Sequence, residues 1–250
     1  MILNVNEICF AYPGNSVLED VCFRSSRGEF VAILGPNGTG KTTLLKCINK
    51  ILKPASGTVY MNEDDLHQLK GKELAKKIGY VEQNREKTRS TVFNAVLLGR
   101  KPHIKWDVTE KDIAIVEQIM HSMNLSDFAM RYVDELSGGE AQKVIIARSL
   151  AQEPEILLMD EPTNHLDLKN QVEVMNTIKD ITREKNLTTI VTMHDINLAL
   201  RYADRFILMK DKNIYAAGDE SVINPETIET VYSLPVKIIS HEGSQIVIPA

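Results

Sequence analysis

Apolar positions recur in two rhythms along this chain, and the rhythm switches twice. Ile2, Leu3, Val5, Ile8 and Phe10 predict a strand over 2–10, and a second strand covers 17–25. Tyr12-Pro13-Gly14-Asn15 is the turn between them, and Arg27-Gly28-Glu29 is the turn after the second. Phe30-Val31-Ala32-Ile33-Leu34 is a continuous apolar run, as a buried strand requires. Residues 42–50 predict a helix with Leu44, Leu45 and Ile48 on one face. A Pro/Gly break at 53–57 precedes a short strand at 58–61, a polar helix over 65–77 and a strand at 78–81 that ends on Glu82-Gln83. Residues 84–90 are charged and unpatterned, so a loop is expected there.

From about 91 to 152 the strand-like runs disappear. Thr109-x-x-Asp112 is a capping box ahead of Ile113, Val116, Met120 and Met123 at helical spacing. Residues 124–133 predict a short helix or turn. Ser137-Gly138-Gly139-Glu140 is a second capping box, opening a helix with Val144, Ile145, Ala147 and Leu150 that stops before Pro154. Trp106, in the loop 101–108, is expected to anchor local packing. The α/β alternation then returns. A strand at 156–159 ends on Asp160-Glu161, an amphipathic helix over 168–185 carries Val174, Ile178 and Ile181, and a strand at 188–193 ends on His194-Asp195. A helix over 195–203 and strands at 205–209 and 213–217 follow. The expected fold class is α/β: a mostly parallel sheet flanked by helices, with an antiparallel β subdomain and a helical insertion. Ligands of such sheets sit at the carboxyl ends of the strands.

The chemistry begins at Gly35-Pro36-Asn37-Gly38-Thr39-Gly40-Lys41-Thr42-Thr43, which fits G-x-x-x-x-G-K-[ST] between a predicted strand and a predicted helix. Strand, glycine loop and helix aim backbone N–H groups and a helix N-terminus at a phosphate. Lys41 is placed to reach the β- and γ-phosphates, and the Thr42 hydroxyl to ligate Mg²⁺. Asp160 suits a Mg²⁺-holding carboxylate on such a core, and Glu161 a group that orients or deprotonates water. Gln83 and His194 also stand at strand ends. Ser137-Gly138-Gly139 reads as a second backbone anion cradle. One nucleotide needs one cradle, so the second fits the nucleotide of another chain.

Composition narrows this further. The chain has 250 residues, 43% apolar and 25% charged, ordinary for a globular protein, and its net charge of −5 gives no general attraction to nucleic acid. No apolar run approaches the roughly 18 residues of a membrane span, and 1–7 lacks the basic and apolar regions of a signal peptide. Cys9, Cys22 and Cys47 have no C-x-x-C spacing and are expected as core thiols in a reducing cytosol.

These motifs, in this order, resemble the nucleotide-binding subunit of an ATP-binding cassette (ABC) transporter over nearly the whole chain. The phosphate loop is complete. Leu136-Ser137-Gly138-Gly139-Glu140 resembles the family signature, which binds ATP in trans, and 156–161 the Mg²⁺ strand. Asn164-His165-Leu166-Asp167 resembles the loop across the dimer interface, and His194 the switch histidine. Tyr12, an ordinary turn tyrosine by position, falls where the family stacks a ring on adenine. Gln83 falls where it senses Mg²⁺ and the permease. Leu98-Gly99-Arg100-Lys101-Pro102-His103, Ala151-Gln152-Glu153-Pro154, 162–168, 194–199 and 225–232 are similar to the ATPases of ferric-siderophore, haem and vitamin B12 importers.

The resemblance implies one ABC ATPase domain, 1–250, with a nucleotide-binding core and β subdomain (about 1–83 and 154–250) around a helical signature subdomain (about 84–153). It implies ATP and Mg²⁺, a second copy of the chain, integral membrane permease subunits and, indirectly, a solute-binding protein. It implies a peripheral place on the cytoplasmic face of the cell membrane, and no nucleic acid. Catalysis would fall to Glu161, His194 and Gln83, with Mg²⁺ on Thr42, Gln83 and Asp160. Three departures stand out: Glu82 where a Pro often precedes the glutamine, Glu140 for the usual Gln, and Lys143 for an Arg. A soluble ABC ATPase acting on DNA or ribosomes is a rival, but the chain has one cassette, no sustained heptads and no basic stripe. A kinase on a P-loop core is another. It would need an acceptor pocket in place of Ser137-Gly138-Gly139. The solute is not written in this subunit.

Overall fold

The computed structural model describes residues 1–83, 89–241 and 243–250. Most of the loop expected at 84–90 therefore lies outside the described residues. In chain order the elements are β1 (Leu3–Tyr12), β2 (Asn15–Ser25), β3 (Phe30–Leu34), α1 (Lys41–Ile48), β4 (Ser56–Met61), β5 (Asp64–Asp65), α2 (Gly71–Lys77), β6 (Ile78–Val81), α3 (Val92–Leu97) and α4 (Glu110–Ser122). There follow α5 (Gly138–Leu150), β7 (Ile156–Asp160), α6 (Leu168–Glu184), β8 (Thr188–Thr192), α7 (Ile196–Tyr202), β9 (Arg205–Lys210), β10 (Asn213–Gly218), α8 (Pro225–Tyr232), β11 (Val236–His241) and β12 (Ser244–Pro249). The chain forms two compact units, Met1–Leu69 with Thr188–Ala250, and Lys70–Leu187.

In the first unit β3 is buried at all five positions because it has a parallel neighbour on each side. Ile33 pairs with Thr192 of β8 and with Ile207 of β9, and β10 adds an antiparallel edge beyond β9. A strand covered on both faces reads as an unbroken apolar run, as β3 does. β2, β1, β4 and β5 form a separate antiparallel sheet. Its apolar pattern slips by one residue: Leu3 and Val5 are buried, then Ile8 and Phe10. The extra residue is Glu7, at φ 51, and the register shifts there. Asp20, at φ 54, does the same between Leu18 and Val21 on β2. Each is a bulge that returns the apolar side chains to one face. The β11–β12 hairpin, beyond the strands expected from the sequence, is tied to α7 by Asn197. Its amide donates to the Val247 carbonyl at 3.1 Å and accepts from the Val247 N–H at 2.8 Å.

In the second unit β6 and β7 run parallel, with Ile78 opposite Ile156 and Val81 opposite Met159. Helix α3 packs on α4 and α5, and α5 on α6. Both expected capping boxes are present, at Thr109/Asp112 and Ser137/Glu140. Arg100 is buried among these helices. It donates to Asp112 at 2.9 Å, to the Ala151 carbonyl at 2.8 Å and to Glu153 at 2.7 Å. A Cβ on the preceding Gly99 would lie 2.0 Å from the Arg148 carbonyl oxygen, so only glycine lets this turn approach α5.

Several expectations need correction. The polar stretch 65–77 is helical only over Gly71–Lys77, because Asp65 pairs with Tyr60 and extends the β4 sheet. On α4 the expected Val116, Met120 and Met123 are buried, but Ile113 is exposed and Ile119 joins the buried face. On α5, Ile146 is buried and Ile145 only partly so. Trp106 is 98% exposed and anchors nothing. A lone aromatic in a loop carries no periodicity that says which way it faces. Of the three thiols only Cys47 is a core group, where burial pushes it up to about 12; Cys9 is half-buried and Cys22 exposed.

Candidate functional site

The first unit carries the glycine loop, and its backbone shows why glycines stand where they do. Gly35, Gly38 and Gly40 have φ of 146, 83 and 97, a conformation that side chains strain. A Cβ on Gly35 would lie 2.4 Å from the Met209 carbonyl of β9, and one on Gly40 2.7 Å from Leu18 Cδ2. A Cβ on Gly38 would meet nothing within 4 Å, which marks the open side of the loop. Thr39 donates to the Pro36 carbonyl at 3.0 Å and closes the turn. Lys41, 5% exposed, donates to the carbonyls of Gly35 at 2.7 Å and Pro36 at 3.1 Å. A cation is thus held inside the loop at the first turn of α1, where Gly40 is the cap and Leu44 N–H already bonds its carbonyl. Thr42 is half-buried beside it, Thr43 is buried, and Asn37 is exposed. Curled backbone amides, an enclosed ammonium and a helix start fit a polyphosphate.

Three further residues belong to this unit. Tyr12, at the end of β1, is 46% exposed and meets Phe10 edge-on at 4.9 Å, so its ring keeps a face for stacking. His194 is exposed just past β8, after Met193, whose N–H bonds the Ile33 carbonyl of β3 at 3.0 Å. The strand that feeds the glycine loop therefore sets the height of His194. Asp195 caps α7 by accepting from Leu198 N–H at 3.0 Å. Tyr232 of α8 was not singled out by the sequence. Burial pushes its hydroxyl up to about 12, opposed by the Gly35 backbone. Tyr232 closes the stretch 225–232, but nothing in that stretch says which residue meets Gly35, because only the fold brings α8 there.

The second unit carries the carboxylates. Asp160 ends β7 and is 1% exposed, and Glu161 follows it, half-buried, at φ 49. Burial, then the Asp160 and Glu82 carboxylates, push the Tyr80 hydroxyl well above the ordinary tyrosine range. Gln83 leaves the end of β6 and donates its amide to Glu161 Oε2 at 2.5 Å. Asn164 donates to the same oxygen at 3.1 Å. Two residues expected to face Mg²⁺ and a partner chain are thus in contact with the candidate base. His165 is exposed at φ 61, Leu166 is buried, and Asp167 caps α6 by accepting from Asn170 N–H at 2.8 Å. Within this unit Gln83 and Asp160 offer oxygen donors, the kind that suits a hard cation such as Mg²⁺.

Ser137 and Gly138 are exposed at the start of α5, with Leu136 half-buried before them. Gly139 is buried under Asn170 of α6: a Cβ there would lie 2.4 Å from Asn170 Oδ1. Glu140 accepts from the Ser137 hydroxyl at 2.7 Å and from its N–H at 2.8 Å. Those two bonds, with smaller help from Arg131 and Lys143, hold its carboxyl below the usual range. Lys143 bonds Glu173 of α6 at 3.2 Å, so the ammonium found in place of a guanidinium joins α5 to α6.

No helix among the described residues is long and apolar enough to cross a membrane. The sequence pattern of the family described as ABC transporter matches residues 18–164. An uncharacterized ABC transporter ATP-binding protein of Methanocaldococcus jannaschii is 57% identical, over 100% of this chain and 98% of that one. The cobalamin import ATP-binding protein BtuD of Halobacterium salinarum is 35% identical, over 95% of this chain and 60% of that protein. The petrobactin import ATP-binding protein YclP of Bacillus subtilis is 33% identical, over 98% of each chain. The dimeric structure of a bacterial ABC transporter cassette superposes with a TM-score of 0.77 at 32% identity, over 87% of this chain and 98% of that one. A phosphate loop with its lysine enclosed, a buried aspartate followed by a held glutamate and a hydroxyl-capped glycine pair therefore agree with the whole-chain likeness: the protein belongs to the ABC transporter family, as one of its ATP-binding ATPase subunits.

Proposed function

We propose that this ATPase powers uptake of an iron-siderophore, haem or cobalamin-type solute through a separate membrane permease, and that two copies bind ATP head to tail. The observation that carries the reading is the pair of cradles in one chain. The loop at Lys41 serves one nucleotide, and Ser137-Gly138-Gly139 is left to serve another. Relatives named for cobalamin and petrobactin import support the solute class, and a related cassette seen as a dimer supports the pairing.

In this reading Tyr12 stacks on the adenine, and the amides of 35–43 with Lys41 hold the phosphates. Thr42, Gln83 and Asp160 hold Mg²⁺, which when bound neutralises charge on the phosphates. Glu161 takes the proton of the attacking water, and His194 supports the γ-phosphate. Leu136 to Glu140 of the second copy close on the same ATP, with Asn164 to Asp167 along the interface. The permease would meet the helical unit. There Lys72, Leu98, Lys101, Pro102, Ile104 and Gln152 line a hollow of about 620 Å³ in which Leu98 is exposed. The cytoplasmic membrane face follows from that partner.

The test is to isolate membranes from cells that express the chain with and without a candidate permease. Recovery of the chain in membranes only when the permease is present, with solute uptake that requires ATP, is the expected result. A chain that stays out of the membrane in both cases favours a soluble ABC ATPase.

A further inference from the structure

We infer that Asn164 is a positioning residue for the candidate base within its own chain: its side-chain amide holds the Glu161 carboxylate in place. This rests on the reading of Glu161 as the base. Asn164 lies three residues past Glu161 in the turn that leaves β7, and its backbone N–H bonds the Glu161 carbonyl at 3.1 Å. The side chain is oriented from both ends. Its Oδ1 accepts from His165 N–H at 3.0 Å, so the NH₂ group faces the other way, towards Glu161 Oε2 at 3.1 Å. An amide whose oxygen is already committed to a backbone donor has no equivalent flipped state.

The turn itself is held in shape. Leu166 N–H bonds the Thr163 carbonyl at 3.3 Å, Gln171 of α6 donates to that same carbonyl at 3.4 Å, and Leu166 is buried. Glu161 and His165 sit at φ 49 and 61, so a tight path folds Asn164 back over the carboxylate. Gln83 approaches Oε2 from β6, 78 residues away in sequence. Its amide is also the group the proposed mechanism assigns to Mg²⁺, and a side chain that turns to a cation no longer holds Glu161. Asn164 is placed by its own turn and remains a fixed donor to Glu161. A carboxylate acting on water needs its orientation set to within a fraction of an ångström, and misplacement by about 1 Å costs on the order of 10²-fold in rate.

Asn164→Asp isolates the effect. The shape and the acceptor for His165 N–H are kept, while the donor becomes an oxygen facing Glu161. Turnover, ATP affinity by equilibrium titration, melting temperature and ATP-dependent dimerisation are measured for this variant, for Asn164→Ala, for Glu161→Gln and for the double variant Asn164→Asp/Glu161→Gln. The expected result is a kcat lower by about tenfold to hundredfold in Asn164→Asp and less in Asn164→Ala. ATP affinity and melting should stay near wild type, and any change in ATP-dependent dimerisation should be too small to account for the fall in kcat. In the Glu161→Gln background the Asn164→Asp penalty should shrink below about twofold, because two residues acting through one contact are not additive. An Asn164→Asp kcat within twofold of wild type overturns the proposal. So does an equal penalty in both backgrounds, or a loss explained by failed dimerisation, which would leave Asn164 as an interface residue alone. Glu161→Gln turnover near wild type would overturn the base itself, a result read from that single variant.

Discussion

The Ser137 hydroxyl donates to Glu140 Oε2 at 2.7 Å and accepts from Glu140 N–H at 3.4 Å. The serine thus caps α5, and the backbone amides of Ser137 and Gly138 lie at the exposed start of the helix. If Ser137-Gly138-Gly139 binds the partner's ATP, damage there spares nucleotide binding and blocks closure. Glu161→Gln should form an ATP-dependent dimer, since hydrolysis cannot reopen it. Adding Ser137→Arg sets a bulky side chain where those amides must approach a phosphate. Light scattering after size exclusion should find a monomer that still binds ATP. A double variant that dimerises as well as Glu161→Gln would leave Ser137 as a helix cap only.

Lys41→Ala should abolish tight ATP binding and keep the fold. The ammonium donates to the Gly35 and Pro36 carbonyls, and its charge is what a phosphate uses. Calorimetric affinity and thermal melting check this; unchanged affinity would reject the phosphate-loop assignment.

Glu161→Gln should keep ATP binding while turnover falls by roughly 10²–10⁴-fold, the worth of a positioned general base. The glutamate stands directly after buried Asp160 with two amides on one oxygen. Turnover within a few-fold of wild type would move the base, with His194 next in line.

The Asp112 carboxyl, ordinarily at 3.8, is held down to about 2, chiefly by the Thr109 hydroxyl and further by Thr109 N–H and Arg100, against burial that raises it. A carboxyl depressed in the folded state stabilises above its unfolded value, and that stability is lost as pH falls through its folded value. Acid unfolding should therefore steepen between about pH 4 and about pH 2. Asp112→Asn should lower the melting temperature at neutral pH and flatten that window. An unchanged pH–melting curve in the variant would show that the Arg100 cluster contributes nothing.

Gly99→Ala should destabilise by about 1–3 kcal/mol or prevent folding, because the added methyl would sit 2.0 Å from a backbone oxygen that α5 holds fixed. Gly71→Ala, where a Cβ meets nothing within 4 Å, is the control and should be neutral within about 0.5 kcal/mol. Urea midpoints separate the two.

Local chemistry was legible from the residues alone. The glycine loop, both capping boxes and the apolar strands β3, β7 and β8 depend on neighbours a few residues away, so their spacing states their structure. Even the bulges at Glu7 and Asp20 are foreshadowed by an apolar pattern that slips by one residue. What depends on distant partners was not legible. Gln83 and Glu161 are 78 positions apart, and a strand-end residue carries no mark of which oxygen it will meet. Asn164 read as an interface residue, and its contact with Glu161 is formed only by the turn after β7. Arg100 entered only as one member of the stretch 98–103. Its burial against Asp112 and Glu153 follows from how α3, α4 and α5 pack. At the start of α4 Ile113 is exposed although the rest of its expected face is buried, and Trp106 is exposed, for the same reason. Periodicity names a face but not how far its cover extends, which is decided by the side chains that other elements bring to it.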